Sequence, residues 1–185
     1  EAALEEQLRA AIASKCEGLM CKGVTSKYDS GTRGGALGGW RKLKKDYLEG
    51  AADTFDVVPV GAWRGSGRKA GWFSPWLVAV RDEGTGEWQT LCRVMSGFED
   101  GWQKEKYEEY SPRILGSKPA DVDSLENPPF WFDPVEVWEV RGADLTRSPV
   151  HTAGRYAGTG DDGRGIGLRF PRFVRTRPDK DIGEA

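Results

Sequence analysis

The chain has 185 residues, 30% of them charged, so it is long enough for one sizeable domain plus part of another. Its formal net charge of -2 does not indicate a nucleic-acid-binding protein. Basic residues are nevertheless concentrated at 41–45, 64–69 and 164–180, so the chain can still form a local basic surface. No apolar run reaches the ~20 residues of a membrane span, and cysteines without zinc-site spacing predict reduced, intracellular thiols.

The first predicted element is a helix over residues 2–13. These residues are strong helix formers, and Leu4, Leu8 and Ile12 recur along one face, which predicts a helix that packs through that face. The chain opens on glutamate rather than methionine and ends within a charged run, so we expect it to be a piece of a longer protein.

A short apolar run at 16–22 predicts a buried strand with Glu17 at its head and Lys22 at its tail. A carboxylate at a strand end could bind Mg²⁺, which shares oxygen ligands with substrate phosphates, but such residues are more often plain surface acids. Because Glu17 and Lys22 differ in strand parity, both can face one ligand only if the strand bulges or ends before Lys22. The Gly-, Ser- and Thr-rich residues 23–39 predict a loop.

Residues 40–47 alternate basic and apolar side chains with a period of two, which predicts a strand with one charged face and one packed face. Trp40, Lys42 and Lys44 then share a face, with two ammonium groups ~7 Å apart beside an aromatic ring. This arrangement suits a triphosphate or a nucleic-acid backbone. The alternative is an edge strand that its lysines protect from aggregation.

A linker near 48–53 precedes a second series of β-like segments, which predicts a domain boundary there. Residues 56–63 predict a strand, and residues 73–80 and 87–94 predict a hairpin. Between them, the basic, glycine-rich residues 64–71 offer amides and cations to a phosphate backbone, or else form an ordinary hairpin loop.

The acidic middle of the chain predicts one surface helix and one further strand. Residues 99–110 have helical spacing and end before Pro112, whereas the prolines of 112–134 predict an irregular connector. Residues 135–141 alternate cleanly and predict a half-buried strand. A helix between the third and fourth strands, in a chain with 25 glycines, favours a mainly β (α+β) fold that contains an OB-type, five-stranded barrel.

The C-terminal residues 167–180 interleave arginines with aromatic residues. Guanidinium groups bind phosphates in bidentate fashion, and the alternative is a basic tail that only solubilises the chain. Phe170, Phe173 and Val174 are predicted to be buried, which argues against a mere tail. Pro171 predicts an edge or terminal strand.

Three segments in this order closely resemble motifs IV, V and VI of ATP-dependent DNA ligases of the eukaryotic, replicative ligase I type. They are Glu-Gly-Leu-Met-Cys-Lys at 17–22, Trp-Arg-Lys-Leu-Lys-Lys-Asp-Tyr-Leu at 40–48, and Leu-Arg-Phe-Pro-Arg-Phe-Val-Arg-Thr-Arg-Pro-Asp-Lys at 168–180. Gly-Ala-Trp-Arg-Gly-Ser-Gly-Arg-Lys-Ala-Gly at 61–71 and Val-Trp-Glu-Val-Arg-Gly-Ala-Asp-Leu-Thr-Arg-Ser-Pro at 137–149 support the resemblance.

The resemblance implies that residues 1–50 are the C-terminal part of an adenylation (nucleotidyltransferase) domain and residues 51–185 an OB-fold domain. It implies a nuclear, monomeric parent enzyme that seals nicks in duplex DNA through lysyl-AMP and DNA-adenylate intermediates, in replication, repair and recombination, with ATP and Mg²⁺ as cofactors. The N-terminal DNA-binding domain and the rest of the adenylation domain would belong to the parent chain. A sliding clamp is a further candidate partner.

The resemblance also implies roles for individual residues. Glu17 would bind the metal, Lys22 and Lys42 would contact ATP or the adenylate phosphate, and Lys44 would join Lys42 as a catalytic cation. The cations of motif VI would orient the pyrophosphate leaving group, and those of the basic loop would contact DNA. The motif VI residues are Arg169, Arg172, Arg177 and Lys180, and the DNA contacts are Arg68, Lys69 and Arg169.

Two segments depart from the family pattern. Ser66 stands where the ligase I type carries arginine, which predicts weaker DNA contact by the basic loop. Residues 27–33 resemble the K-x-D-G-x-R motif of enzymes that attach a nucleotide to lysine, but the nucleophilic lysine of this family lies upstream of motif IV. We therefore do not assign Lys27 as the nucleophile and expect the isolated chain to be inactive.

Two other classes of function remain open at this stage. A messenger-RNA capping guanylyltransferase shares the lysine–nucleotide chemistry and an OB-fold domain, and GTP rather than ATP labelling would identify it. A non-catalytic OB-fold module would instead bind single strands by stacking bases on tryptophan and tyrosine side chains.

Overall fold

The computed structural model describes residues 2–25, 40–44, 53–157 and 163–185. The chain divides into two units, Glu1–Ala52 and Asp53–Ala185, which we call the N-terminal unit and the C-terminal unit. Lys27 and most of the predicted linker lie outside the described residues. None of the helices in the described ranges is long and apolar enough to cross a membrane.

The N-terminal unit contains one helix and a two-stranded antiparallel sheet, namely α1 (Ala2–Ala13), β1 (Gly18–Cys21) and β2 (Arg41–Lys44). The helix predicted over residues 2–13 is confirmed. Leu8 is buried on its inner side, but Leu4 is 47% exposed, so only part of the predicted apolar stripe packs.

The C-terminal unit is mostly β-structure with one helix between its third and fourth long strands. Its elements are β3 (Thr54–Arg64), β4 (Phe73–Arg81), β5 (Trp88–Val94), α2 (Asp100–Tyr110), β6 (Val122–Asp123), β7 (Phe130–Trp131), β8 (Trp138–Arg141), β9 (Asp144–Ser148), β10 (Gly165–Arg169) and β11 (Arg172–Thr176). The sheet order is β11-β8-β3-β4-β5-β6, with β7 paired to β3 and with β9 and β10 forming a separate pair.

β8 to β11 form one long, bent hairpin. Ser148 pairs with Gly165 at its outer end and Arg141 pairs with Arg172 further along, so the two strand pairs keep a single register across the bend. The bend itself is held by the Ala143 amide, which donates to the Arg169 carbonyl at 3.0 Å. Counted this way, the unit has five long strands, which confirms the predicted mainly β, OB-type fold.

The strands described here do not close the barrel by direct pairing of β5 with β10. Residues 152–153 fill the gap instead, because the Thr152 and Ala153 amides both donate to the Thr90 carbonyl, at 2.9 and 3.0 Å. On the other side, the Ile166 amide donates to the Ala153 carbonyl at 2.8 Å. Residues 152–153 therefore connect the two edges of the predicted barrel, in place of direct strand pairing.

An aromatic cluster forms the core between the sheet and α2. Trp76 and Trp138 are fully buried with ring centroids 5.2 Å apart, and Tyr110 and Phe132 pack edge to face beside them at 5.1 Å. Such pairs contribute beyond the apolar area they bury. α2, predicted as a surface helix, thus contributes a buried face through Tyr110 and Gln103.

Two predictions about local structure are wrong in part. The connector at 112–134 contains two short strands, β6 and β7, because Val122 and Trp131 are apolar side chains that pack in a core cluster. The strand predicted over 135–141 begins only at Trp138. Val137 and Trp138 are both buried, which breaks the alternation that a strand with one wet face requires.

Phe170 and Val174, predicted to be buried, are 53% and 41% exposed, and only Phe173 enters the core. Phe170 sits at the bend between β10 and β11 with a φ of 52°, which turns its ring outward. A register shift between Phe173 and Arg175 then leaves Val174 on the exposed side.

Candidate functional site

The pairing of β1 with β2 places the predicted cations on one face of the N-terminal sheet. Met20 lies opposite Lys42 and Gly18 lies opposite Lys44, so the two lysines, two residues apart, share a face. Lys42 is exposed and Lys44 is half-buried, with 21% of its side chain accessible. Two ammonium groups on one strand face form a candidate anion site.

Glu17 contributes a carboxylate to the same end of the sheet. Its Oε2 lies 3.5 Å from the Nζ of Lys44, and its side chain is 65% exposed. Gly18 makes this approach possible, because it has a φ of 145° and a Cβ there would lie 2.1 Å from the Leu43 carbonyl oxygen. Glycine at this position therefore permits the close pairing that brings Glu17 and Lys44 together.

Lys22 joins the other end of this face. The register of β1 and β2, continued by one residue, places Lys22 opposite Trp40, and the Lys22 ammonium lies 4.1 Å from the Trp40 ring centroid. β1 ends at Cys21, so Lys22 lies past the strand end. A strand that ends before Lys22 is one of the two conditions under which the sequence analysis allows Glu17 and Lys22 to serve one ligand. That they do so stays a prediction.

The residues of this face could bind Mg²⁺ only if other ligands, such as substrate phosphates, supplied most of its coordination. Within the described ranges, no group of three histidine, cysteine, aspartate or glutamate side chains is placed to hold a metal ion. Among the described residues of this sheet, Glu17 offers an accessible carboxylate beside Lys44. Mg²⁺ commonly binds through one or two carboxylates plus substrate phosphates, and Glu17 suits that mode.

A second cluster of charges lies in the C-terminal unit, where Arg177 and Lys180 share one acid. Arg177 Nη1 donates to Asp56 Oδ1 at 3.1 Å, and Lys180 Nζ donates to Asp56 Oδ2 at 2.7 Å. These side chains are only 16–27% exposed. Two of the predicted phosphate-binding cations are therefore brought together, and an acid on β3 joins them.

Asp179 and Glu139 complete this cluster. Arg177 Nε and Nη2 donate to Asp179 at 2.9 and 2.8 Å, and Arg175 Nε donates to Glu139 at 2.7 Å. The hydrogen bond from Arg177 is the main reason why the pKa of Asp179 falls to about 2, and it raises the pKa of Arg177 in turn. Arg177 and Asp179 therefore both remain charged throughout the physiological pH range.

The other predicted cations of this unit lie elsewhere. Arg172 is exposed on β11, and the Arg169 guanidinium lies 4.9 Å from the ring centroid of Phe170. In the basic loop, a single helical turn at Gly67–Lys69 orders the chain, and Lys69 Nζ donates to the Met95 carbonyl. Arg68 remains exposed, so this loop offers at least one accessible cation.

Two described side chains of types common in nucleophilic or acid–base catalysis, Cys92 and His151, are not activated. Burial raises the pKa of Cys92, which keeps the thiol protonated, and burial lowers the pKa of His151, which keeps the ring neutral near pH 7.

Sequence reasoning missed the acids that surround Arg177, namely Asp56, Glu139 and Asp179. Asp56 and Arg177 are 121 residues apart, and no periodicity connects them. The one available signal was a charged residue at the head of an otherwise apolar predicted strand, 56–63.

Comparison with known proteins gives a consistent family. The model of the ATP dependent DNA ligase C terminal region matches residues 69–180. DNA ligase 6 of Arabidopsis thaliana is 46% identical over 180 residues and covers 96% of this chain, and DNA ligase 3 of Schizosaccharomyces pombe is 43% identical over 197 residues and covers 100% of it. The ligase domain of M. tuberculosis LigD covers 96% with a TM-score of 0.55 and 22% identity, which is a likeness of fold alone.

The chain spans only a small part of these proteins. It corresponds to 12% of the Arabidopsis ligase, 25% of the Schizosaccharomyces ligase and 50% of the LigD ligase-domain chain. The matching family model describes a C-terminal region of such ligases.

Proposed function

The chain belongs to the family of ATP-dependent DNA ligase C-terminal regions, and from that premise we propose that its parent protein seals nicks in duplex DNA with ATP. The observation that carries the proposal is the charged face of the N-terminal sheet, where Lys42 and Lys44 stand side by side and Glu17 Oε2 lies 3.5 Å from Lys44. Cations held on a rigid strand pair suit the phosphates of an adenylate.

Ligation proceeds through three phosphoryl transfers. A lysine attacks the α-phosphorus of ATP and releases pyrophosphate, the AMP moves to the 5′-phosphate of the nick, and the 3′-hydroxyl displaces AMP as the phosphodiester bond forms. Each transfer spreads negative charge over phosphorus oxygens, so pre-positioned cations stabilise the transition state. Besides the nucleophilic lysine, such chemistry therefore requires lysine and arginine residues that stabilise charge without forming covalent bonds.

The proposed roles follow from this charge requirement. Lys42 and Lys44 neutralise charge at the phosphate that is transferred, and Lys22, beside the Trp40 ring, contacts the bound nucleotide. Glu17 would hold Mg²⁺, which when bound supplies Lewis-acid neutralisation of phosphate oxygens. Arg172, Arg177 and Lys180 orient the pyrophosphate leaving group, which carries the largest negative charge in the first transfer.

The two units are proposed to be the end of an adenylation domain, residues 1–50, and an OB-fold domain, residues 51–185. The basic loop of the C-terminal unit would contact the DNA backbone through Arg68 and Lys69, and Arg169 would contact DNA from the bend of the hairpin. Nuclear localisation, a monomeric state and a sliding-clamp partner stay predictions.

We expect the 185-residue chain to bind nicked duplex DNA weakly, more tightly than single strands, and with steep dependence on salt. Backbone contacts by lysine and arginine release counterions, so a chain that contacts about three phosphates should lose about 10- to 50-fold in affinity between 50 and 200 mM salt. Fluorescence anisotropy with nicked, intact and single-stranded oligonucleotides measures both quantities.

Arg68→Ala should reduce the slope of log affinity against log salt concentration by about one, the value of one phosphate contact. Lys104 is an exposed cation on α2, and Lys104→Ala should leave this slope unchanged. A module that binds by stacking bases on aromatic side chains should instead prefer single strands and depend little on salt. Tight binding to single strands that survives 200 mM salt would favour a non-catalytic OB-fold module and contradict the proposal.

A further inference from the structure

Asp56 occupies a central place in the charge cluster of the C-terminal unit. It lies on β3 opposite Glu139 of β8, and Glu139 in turn lies opposite Arg175 of β11, so the three form one row across neighbouring strands. Its side chain is 20% exposed. An acid that is largely removed from water is stabilised only if cations and hydrogen-bond donors surround it.

One carboxylate holds two cations that are three residues apart. Oδ1 accepts from Arg177 Nη1 at 3.1 Å, and Oδ2 accepts from Lys180 Nζ at 2.7 Å. A turn between these residues is closed by the Lys180 amide, which donates to the Arg177 carbonyl at 3.1 Å. The distance between guanidinium and ammonium is therefore set by Asp56 together with the local backbone.

These bonds do not use all donors of the two cations. Lys180 has three N–H groups, and its bond to Asp56 takes one of them. Arg177 has five, of which the bonds to Asp56 and Asp179 take a part. Both side chains also line a groove of about 470 Å³, together with Trp102, Lys106 and the acids Glu105 and Glu136.

We propose that Asp56 is a positioning residue, which fixes Arg177 and Lys180 at the spacing in which their remaining N–H donors meet the pyrophosphate released during lysine adenylation. The inference rests on the proposed function, since it assigns Asp56 to the first of the three transfers. Arg177 and Lys180 touch the leaving group, and Asp56 acts through them. The second and third transfers release no pyrophosphate, so they do not depend on Asp56.

The test uses the full-length parent protein and measures two steps separately. The first readout is the rate at which ATP forms the covalent AMP adduct on the protein. The second readout is the rate at which the protein seals a nick that already carries AMP on its 5′-phosphate, which bypasses adenylation. We expect Asp56→Asn to slow adduct formation about tenfold or more while pre-adenylated nicks are sealed within about twofold of the wild-type rate.

Asp123→Asn is the matched control. Asp123 is a similarly buried acid whose Oδ1 lies 3.2 Å from Arg155 Nη1, and its partner is neither Arg177 nor Lys180. It should leave the ratio of the two rates unchanged. If Asp56→Asn slows both steps equally, Asp56→Glu decides the matter. That variant keeps the charge but moves the carboxylate, and it should restore sealing while adduct formation stays slow; equal recovery of both steps would overturn the inference.

Unchanged or faster adduct formation in Asp56→Asn would also overturn it, because Asp56 would then be a passive or inhibitory contact. A wild-type parent that seals nicks while the variant shows no selective defect refutes this inference alone. A wild-type parent that forms no AMP adduct refutes the proposed function, and the inference falls with it.

Discussion

Lys42→Ala in the full-length parent is expected to reduce nick sealing by about 100-fold or more. Removing one pre-organised charge that faces a developing oxyanion typically costs this much, because the remaining groups cannot move to replace it. Lys42 is exposed on the charged face of the N-terminal sheet, opposite Met20, so a phosphate can reach its side chain. Lys44→Ala should have a comparable effect and should also remove the contact with Glu17.

The matched control is Arg41→Ala, since Arg41 is an exposed cation on the same strand but on the opposite face. It should change the rate of sealing by less than about threefold, because it removes an equal charge from the wrong side of the sheet. Single-turnover sealing of a nicked duplex measures both variants. Equal losses for Arg41→Ala and Lys42→Ala would mean that general charge, and not one face of the strand, matters.

Trp138→Ala is expected to lower the free energy of unfolding of the C-terminal unit by about 3–5 kcal/mol. Trp138 is fully buried, and its ring centroid lies 5.2 Å from both Trp76 and Trp102 and 5.4 Å from Phe173. It also lies on β8 between β3 and β11, so the cavity would open between paired strands. For a marginally stable domain this is a large part of the total stability.

Phe170→Ala serves as the comparison, since it also removes an aromatic ring but from a side chain that is 53% exposed. We expect a change of less than about 1 kcal/mol. Urea denaturation of the 185-residue chain, followed by circular dichroism, measures both variants. Similar losses for the two substitutions would contradict the assignment of Trp138 to the core.

The sequence predicts the elements whose periodicity survives folding. The period of two at 40–44 correctly indicates that Lys42 and Lys44 share a face, and the pairing of β1 with β2 confirms this. Helical spacing likewise identifies α1 and α2 to within a residue or two. In the two helices the pattern reflects one exposed face and one packed face, which is information that a single segment carries, whereas none of Arg41–Lys44 is buried.

What the sequence does not predict depends on contacts between distant segments. The hydrogen bonds of Asp56 with Arg177 and Lys180 join residues more than 120 positions apart. Phe170 has the composition of a core residue, yet its backbone conformation turns it outward. Where burial is decided by a bend or a register shift, as at the β10–β11 bend, local apolarity is a poor guide.

The most direct test of the proposal is to incubate the full-length parent with labelled ATP and a duplex that carries one 5′-phosphorylated nick. The account predicts a covalent protein–AMP adduct, a transient AMP-capped DNA strand and a sealed product, with ATP and not with GTP. An adduct that forms from GTP alone, or tight single-strand binding without any sealing, would contradict it.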